Sequence, residues 1–260
     1  MNGELSLREK DIFRLIQSNC HIGARNFNVQ MKRYIHHIDK NGVPIFNINE
    51  TYDKIRLAAR IIAGMDPKDV LCVSSKENGQ RAVVKFSQLT GCDVAPSGKW
   101  CSGTLTNHQT KKFREPKLLI VVDPHADFKP IKEGSYMNIP VISLCDTKNS
   151  LKYIDVVIPC NNDLTNSIAQ VFWMLTRELF FLNNKIGTAE EFEPVVDLFD
   201  FREIKTGKDA DDENEEEEGD DDDDEGDSEE GEKVDMDSDD EDDEDEADSD
   251  ADENWTGANN

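Results

Sequence analysis

Residues 118–127 read LLIVVDPHAD. Five apolar residues follow one another without a polar one between them, and the run stops at Asp123-Pro124. A strand with one wet face would alternate, so an unbroken run of strand length marks a strand covered on both sides. Three further runs are read in the same way: Val70–Val73, Val141–Leu144, interrupted only by Ser143, and Val156–Ile158. Helical patterns separate them. Glu50–Met65 places Ile55, Ala58, Ala59 and Ile62 on one face. Gln80–Thr90 carries Ala82, Phe86 and Leu89, with Gly91 as its C-terminal stop. Leu164–Asn183 repeats Ile168, Val171, Phe172, Leu175, Leu179 and Leu182 at helical spacing. Parallel neighbours need such crossovers, so the pattern predicts a three-layer α/β/α, doubly wound, mostly parallel sheet.

Upstream of the sheet lies an extension. Ser6 with Glu9 has capping-box spacing, and Ile12, Leu15 and Ile16 give the following helix an apolar face. Residues 20–38, CHIGARNFNVQMKRYIHHI, read as a loop with a basic edge running into a strand. Tyr34–Ile38 and Val43–Ile48 flank Asp39-Lys40-Asn41-Gly42, which predicts an N-terminal β-hairpin because Asn and Gly both tolerate positive φ. The four long runs end in polar or turn residues: Ser74-Ser75-Lys76, Asp123-Pro124-His125, Cys145-Asp146-Thr147 and Pro159-Cys160-Asn161-Asn162. These should gather at the carboxyl edge of the sheet, where open α/β folds bind ligands.

The charge is split along the chain. Its 260 residues hold 56 acidic and 29 basic side chains, a net −27. Residues 207–260 alone contain 32 acidic residues and 2 Lys, which leaves 24 acidic and 27 basic residues in 1–206. The expected organisation is an α/β domain over 1–206 and a disordered polyacidic tail over 207–260, because such a tail buries too little apolar surface to offset its ordering entropy. No apolar run approaches the ~18–20 residues of a membrane span, and MNGELSLREKD has no signal-peptide core. The six Cys form no CxxC, which points to reduced structural thiols in the cytosol.

Motifs for chemistry are thin. GxGxxG, GxxxxGK[ST] and GxSxG are all missing. Lys76-Glu77-Asn78-Gly79-Gln80-Arg81 could hold one phosphate at a helix N-terminus, with Arg81 beside it, or be a plain turn. Asp123 and Asp127 fit turn caps better than metal ligands, and no cofactor or metal is expected. His36 and His37, neighbours in a strand, should point to opposite faces and so cannot chelate one ion.

The basic residues say more. Arg25, Lys32 and Arg33 lie in or beside the N-terminal loop and hairpin. Lys99, Lys111, Lys112 and Arg114 lie in a connection of 27 residues, 91–117, far longer than the usual ~4–6. Trp100, His108 and Phe113 interleave with them. Cations suit a phosphate backbone and rings can stack on unpaired bases, so the composition fits RNA, although solvated surface charge would look the same.

Residues 103–124, GTLTNHQTKKFREPKLLIVVDP, closely resemble a segment of the laminin-receptor-precursor branch of the universal S-two family of small-subunit ribosomal proteins, its eukaryotic and archaeal form. The resemblance extends over CHIGARNFNVQMKRYI, NGVPIFNIN, KIRLAARIIA, GQRAVVKFSQLTG, YMNIPVISLCDT, YIDVVIPCNND and FWMLTRE, nearly all of residues 7–200. FREP before an apolar strand and Asp-Pro, combined with IPCNN, is its most specific part. It implies a flavodoxin-like core, no catalysis and no small-molecule substrate. The implied partners are small-subunit (18S-type) rRNA and neighbouring small-subunit ribosomal proteins, the implied roles small-subunit assembly, stability and final rRNA maturation. The implied location is the cytoplasmic ribosome, with a nuclear or nucleolar stage during assembly.

By position in the family pattern, Arg25, Arg81 and Arg114 are the expected phosphate contacts, followed by Lys111 and Lys112. His125 stands where the family has Arg, which weakens a charge role at neutral pH. The family's animal-type tail with Trp-Ser repeats is replaced by an acidic run with one Trp, Trp255. The Trp-Trp stretch linked to laminin binding is only partly present as Phe172-Trp173-Met174-Leu175, where periodicity puts Phe172 and Leu175 in the core. Two other functions stay open on the residues alone: an α/β enzyme acting on a phosphorylated small molecule at the carboxyl edge, and an acidic chaperone for basic proteins in which the tail acts. Ser228, Ser238 and Ser249 sit in surroundings that suit an acidophilic kinase, an expectation that an intact mass without phosphate would dispose of.

Overall fold

A computed structural model describes residues 6–96, 98, 100–188 and 191–202. The expected tail, the boundary at 206/207, the three tail serines and Lys99 therefore lie outside the described residues. Helix α1 (Leu7–Gln17) opens with the foreseen box: Ser6 N donates to Glu9 Oε2 at 2.8 Å, and Glu9 N donates to Ser6 Oγ at 3.4 Å. Its buried face differs from the apolar pattern, because Leu15 is buried with Asp11 while Ile16 is exposed. The hairpin is β1 (Ile35–Ile38) and β2 (Pro44–Phe46), antiparallel, with φ +76° at Gly42; Asn41 does not share that conformation.

The main sheet has five parallel strands: β3 (Val70–Val73), β4 (Asp93–Val94), β5 (Leu118–Val121), β6 (Val141–Cys145) and β7 (Val156–Pro159), in spatial order β4-β3-β5-β6-β7. β3, β5 and β6 are buried at every position; β3 and β5 are unbroken apolar runs, and in β6 the polar Ser143 is buried among apolar neighbours. Numbered within the sheet alone, the order is 2-1-3-4-5, the flavodoxin-like arrangement. β4 is an addition to the sequence reading. It is two residues long and contains Asp93, so it has no apolar run to betray it, and it shortens the long connection to 95–117.

Three long helices cover one sheet face: α2 (Ile48–Ala63), α3 (Glu77–Thr90) and α5 (Thr165–Leu182), with α5 packed against both others. α2 and α3 begin two or three residues earlier than periodicity suggests. Gly91 ends α3 with φ +86°, as expected of a left-handed cap. Ile55, Phe86, Phe172 and Leu175 meet Val70, Leu118, Ile120 and Ile142 in the larger core. Leu182, at the end of α5, is 43% exposed, so the apolar stripe stops one turn short. Within this layer Arg177 and Asp11 are both fully buried and joined by two hydrogen bonds of 2.8 and 2.6 Å.

The second sheet face is covered differently. A single short helix, α4 (Phe128–Tyr136), packs there through Ile131, together with Trp100 and Leu105 from the 95–117 connection, against Leu71, Val73, Leu119 and Val121. The hairpin and the turn before it cover the other end, with Met31, Tyr34 and Phe46 on Cys145 and Val157. The layers are thus helices, sheet, and a mixed layer of loop, one helix and hairpin. Pro130 and Gly134 break the α4 pattern, which is why periodicity does not reveal that helix.

Candidate nucleic-acid interface

The carboxyl edge gathers the four strand ends as anticipated, and it is occupied by the protein itself. Lys76 Nζ lies 2.5 Å from Asp163 Oδ1 and 3.8 Å from Asp123 Oδ2, and Lys148 pairs with the other Asp163 oxygen. Asn149 Nδ2 donates to Asp123 Oδ1 at 2.9 Å, and Asn162 Nδ2 donates to Asn149 Oδ1 at 3.3 Å. Asp123 also caps its own turn by accepting from His125 N at 3.0 Å, as its spacing suggested. Asp127 does not cap α4; it reaches across the β3–β5 switch point to accept from Ser75 N at 2.8 Å.

Charges here answer to burial and to each other. Burial pushes the carboxyl of Asp127 above the usual range, and does the same to Asp146. Burial opposes the charge on Asp163 too, but Lys148 and Lys76 outweigh it and hold that carboxyl below its ordinary value. The Cys145 thiol is pushed up to about 12, chiefly by burial, which makes it inert at neutral pH.

The N-terminal loop closes this edge. Asn28 N donates to Thr147 O at 2.8 Å, Thr147 Oγ1 donates to Ala24 O at 2.9 Å, and Ala24 N donates to Asp146 Oδ1 at 3.3 Å. Gly23 fits the crossing because a Cβ there would stand 2.5 Å from Thr147 Cγ2. The crevice where related sheets receive a phosphorylated ligand is therefore filled by side chains and chain. The turn at Lys76–Arg81 is spoken for as well: Lys76 holds Asp163, Asn78 Nδ2 donates to Asp163 O, and Arg81 Nε donates to Leu198 O at 3.2 Å.

The candidate cations separate into two groups. Arg81 and Arg114 are half-buried and committed, Arg114 Nη1 donating to Asp93 Oδ2 at 2.6 Å and to Val94 O at 2.7 Å. Arg25, Lys32, Arg33, Lys111 and Lys112 are exposed, and none of them pairs with a carboxylate among the described residues. Arg25 lies in the loop that closes the carboxyl edge, between Ala24 and Asn28; Lys32 and Arg33 belong to the segment over β6 and β7, and the lysines to the connection over β3 and β5. Strand alternation puts both segments on one sheet face, two or three strand spacings or roughly 10–15 Å apart. Exposed Phe27 and Val29 stand among the N-terminal cations.

Two sequence expectations fail here. Trp100 is only 8% exposed and packs on Leu71 and Leu119 beneath the connection, so its ring faces cannot stack on a base. His108 remains exposed and Phe113 half-buried, their rings 4.2 Å apart. His36 and His37 do not diverge. A bulge between Ile35 and His37 breaks the alternation of β1, and their Nδ1 atoms lie 2.8 Å apart. Reading the bulge in advance would have required the register against β2.

Fold and surface together define a flavodoxin-like α/β protein whose carboxyl edge is filled by its own side chains and which displays unpaired cations on the N-terminal loop, the segment over β6 and β7 and the 95–117 connection. The family model for ribosomal protein S2 matches residues 15–114 and 108–179. A protein of Sclerotinia sclerotiorum named small ribosomal subunit protein uS2 is 45% identical over 205 residues, 77% of this chain and 69% of its own. One of Chlamydomonas reinhardtii with the same name is 41% identical over 207 residues, covering 79% of this chain and 74% of its own. Small ribosomal subunit protein uS2C of Schizosaccharomyces japonicus is 44% identical over 200 residues, 76% and 69% of the two chains. The chain belongs to the ribosomal protein S2 family.

Proposed function

We propose that the chain is a structural constituent of the small ribosomal subunit, binding small-subunit rRNA and neighbouring proteins of the subunit. The observation that carries this is the likeness to proteins named for that subunit across about three quarters of the chain. The surface supports it physically. Five exposed cations without carboxylate partners among the described residues are free to displace counterions from phosphates, and Phe27 and Val29 offer apolar area to a protein neighbour. Arg114 then serves mainly to fix the connection that displays Lys111 and Lys112, while Arg81 and Lys76 tie down the chain at Leu198 and Asp163.

In this reading the domain acts as a rigid spacer with no chemical step. It supports assembly and stability of the subunit and the final maturation of its rRNA, in the cytoplasm after a nucleolar stage. Residues 207–260 are an appendage to a domain of residues 1–206, and a chain lacking them still enters the subunit. The test is a density gradient of a cell lysate containing the tagged full chain. It should travel with small subunits and be released as salt rises, whereas sedimentation only as a free monomer contradicts the proposal.

A further inference from the structure

The connection that follows β4 encloses a cavity of about 350 Å³, at the small end of the ~300–1,000 Å³ range of ligand pockets. Leu71, Ala95, Pro96 and Trp100 give it an apolar floor, and Lys111 and Lys112 stand at its mouth. Trp100 is more than nine-tenths buried, yet its Nε1 has no hydrogen-bond partner among the described residues. Trp173, equally buried, does have one: its Nε1 donates to Pro194 O at 2.6 Å. Buried indole N–H groups normally find an acceptor, so an unpaired one in a cavity wall marks the place where an acceptor belongs. Arg114, tied to Asp93 and Val94, and Phe113, packed at a tilt against His108, hold the mouth in shape.

An apolar floor, one donor in the wall and two unpaired cations at the mouth describe a flat heteroaromatic ring joined to a phosphate. We infer that the cavity receives an unpaired nucleotide of RNA, its base accepting from Trp100 and its phosphate lying on Lys111 and Lys112. This rests on the RNA-binding reading above and narrows it to one site. Inorganic phosphate would use the lysines alone. An acidic peptide would leave the floor uncovered, and a fully paired duplex keeps its bases out of reach.

The three tryptophans give the full chain three indole N–H signals, and Trp100→Phe assigns the relevant one. The ¹⁵N-labelled chain is titrated with an RNA hairpin bearing a one-nucleotide bulge, the same hairpin fully paired, AMP, inorganic phosphate and an acidic aromatic peptide. The bulged hairpin should move the Trp100 signal, leave that of Trp173 in place, and bind about tenfold tighter than the paired one, in line with the net worth of one hydrogen bond. The double surface variant Lys111→Gln/Lys112→Gln should lose most of that difference while keeping its fold. Movement with phosphate or peptide alone, movement with AMP but not with the bulged RNA, or equal binding of the two hairpins without movement would overturn the inference; the last leaves RNA binding standing. Failure to bind either hairpin in dilute salt removes the RNA reading and this site with it.

Discussion

The carboxyl edge of the sheet and the loops over its second face are both rich in charge, and they spend it in opposite ways. At the edge Lys76, Lys148, Asp123 and Asp163 satisfy one another, and Thr147 and Asp146 fasten the N-terminal loop. Lys32, Arg33, Lys111 and Lys112 over the second face, and Arg25 on the loop that closes the edge, have no carboxylate partner among the described residues. Polar residues at a topological switch point do not by themselves make a ligand site; what separates them is whether their charges are already answered inside the fold. Paired charges hold this protein together, and the unpaired ones are available to a partner.

The sharpest way to break that division is to leave a paired charge alone. Arg177→Met removes one half of the buried pair with Asp11 and should cost about 3–5 kcal/mol in denaturant unfolding, while Asp11→Leu/Arg177→Met recovers most of it. A double variant as unstable as the single one would show that the pair does more than cancel its own burial cost. Next in size, Arg25→Gln/Lys32→Gln/Arg33→Gln should weaken RNA binding on the order of a hundredfold near 0.15 M salt and flatten its salt dependence by roughly 2–3 in log–log slope. Stability should change by no more than about 0.5 kcal/mol at Arg25 and Lys32, which have no carboxylate partner among the described residues, and by up to about 1 kcal/mol at Arg33, whose guanidinium lies over the Tyr34 ring. Unchanged affinity would place the RNA contact elsewhere.

Smaller effects sharpen the edge itself. Gly23→Ala drives a Cβ into the buried Thr147 side chain and should cost about 1–3 kcal/mol by overpacking, with hydrogen exchange rising at Asn28 and Ala24. Acid provides a further probe. Asp163 has a folded pKa below its unfolded one, so its contribution is present above about pH 4 and disappears as pH falls through the lower, folded value. Asp127 has the opposite sign. Its folded pKa is raised, so stability falls as pH climbs from the ordinary carboxylate range through the raised value, and Asp127→Asn should remove that slope with less than about 1 kcal/mol change at pH 7. Thermal melts across pH 3–8 on both proteins would show it.

Much of the fold could be read from the chain because burial on two faces forces unbroken apolar runs. LLIVV at 118–122, the capping box at Ser6 and the stop at Gly91 each carry their cause locally. The parts that escaped depend on distant residues. β4 exists because Asp93 and Val94 meet Leu71 and Cys72, and the pairing of Asp11 with Arg177 spans 166 positions. Trp100 looks like a nucleic-acid ring in a basic stretch, and only the tertiary path of its connection turns it into core. The same limit holds for the cations: composition marks Arg114 and Lys112 alike, and only the position of Asp93 separates the anchored one from the unpaired one.

The most direct measurement is ultraviolet crosslinking of the full chain within small subunits, with adducts mapped by peptide mass. The account expects rRNA adducts in segments 25–33 and 108–113 and none at the strand ends around Ser75, Asp123 and Asn162. Adducts concentrated at those strand ends, with the two loop segments bare, would contradict it.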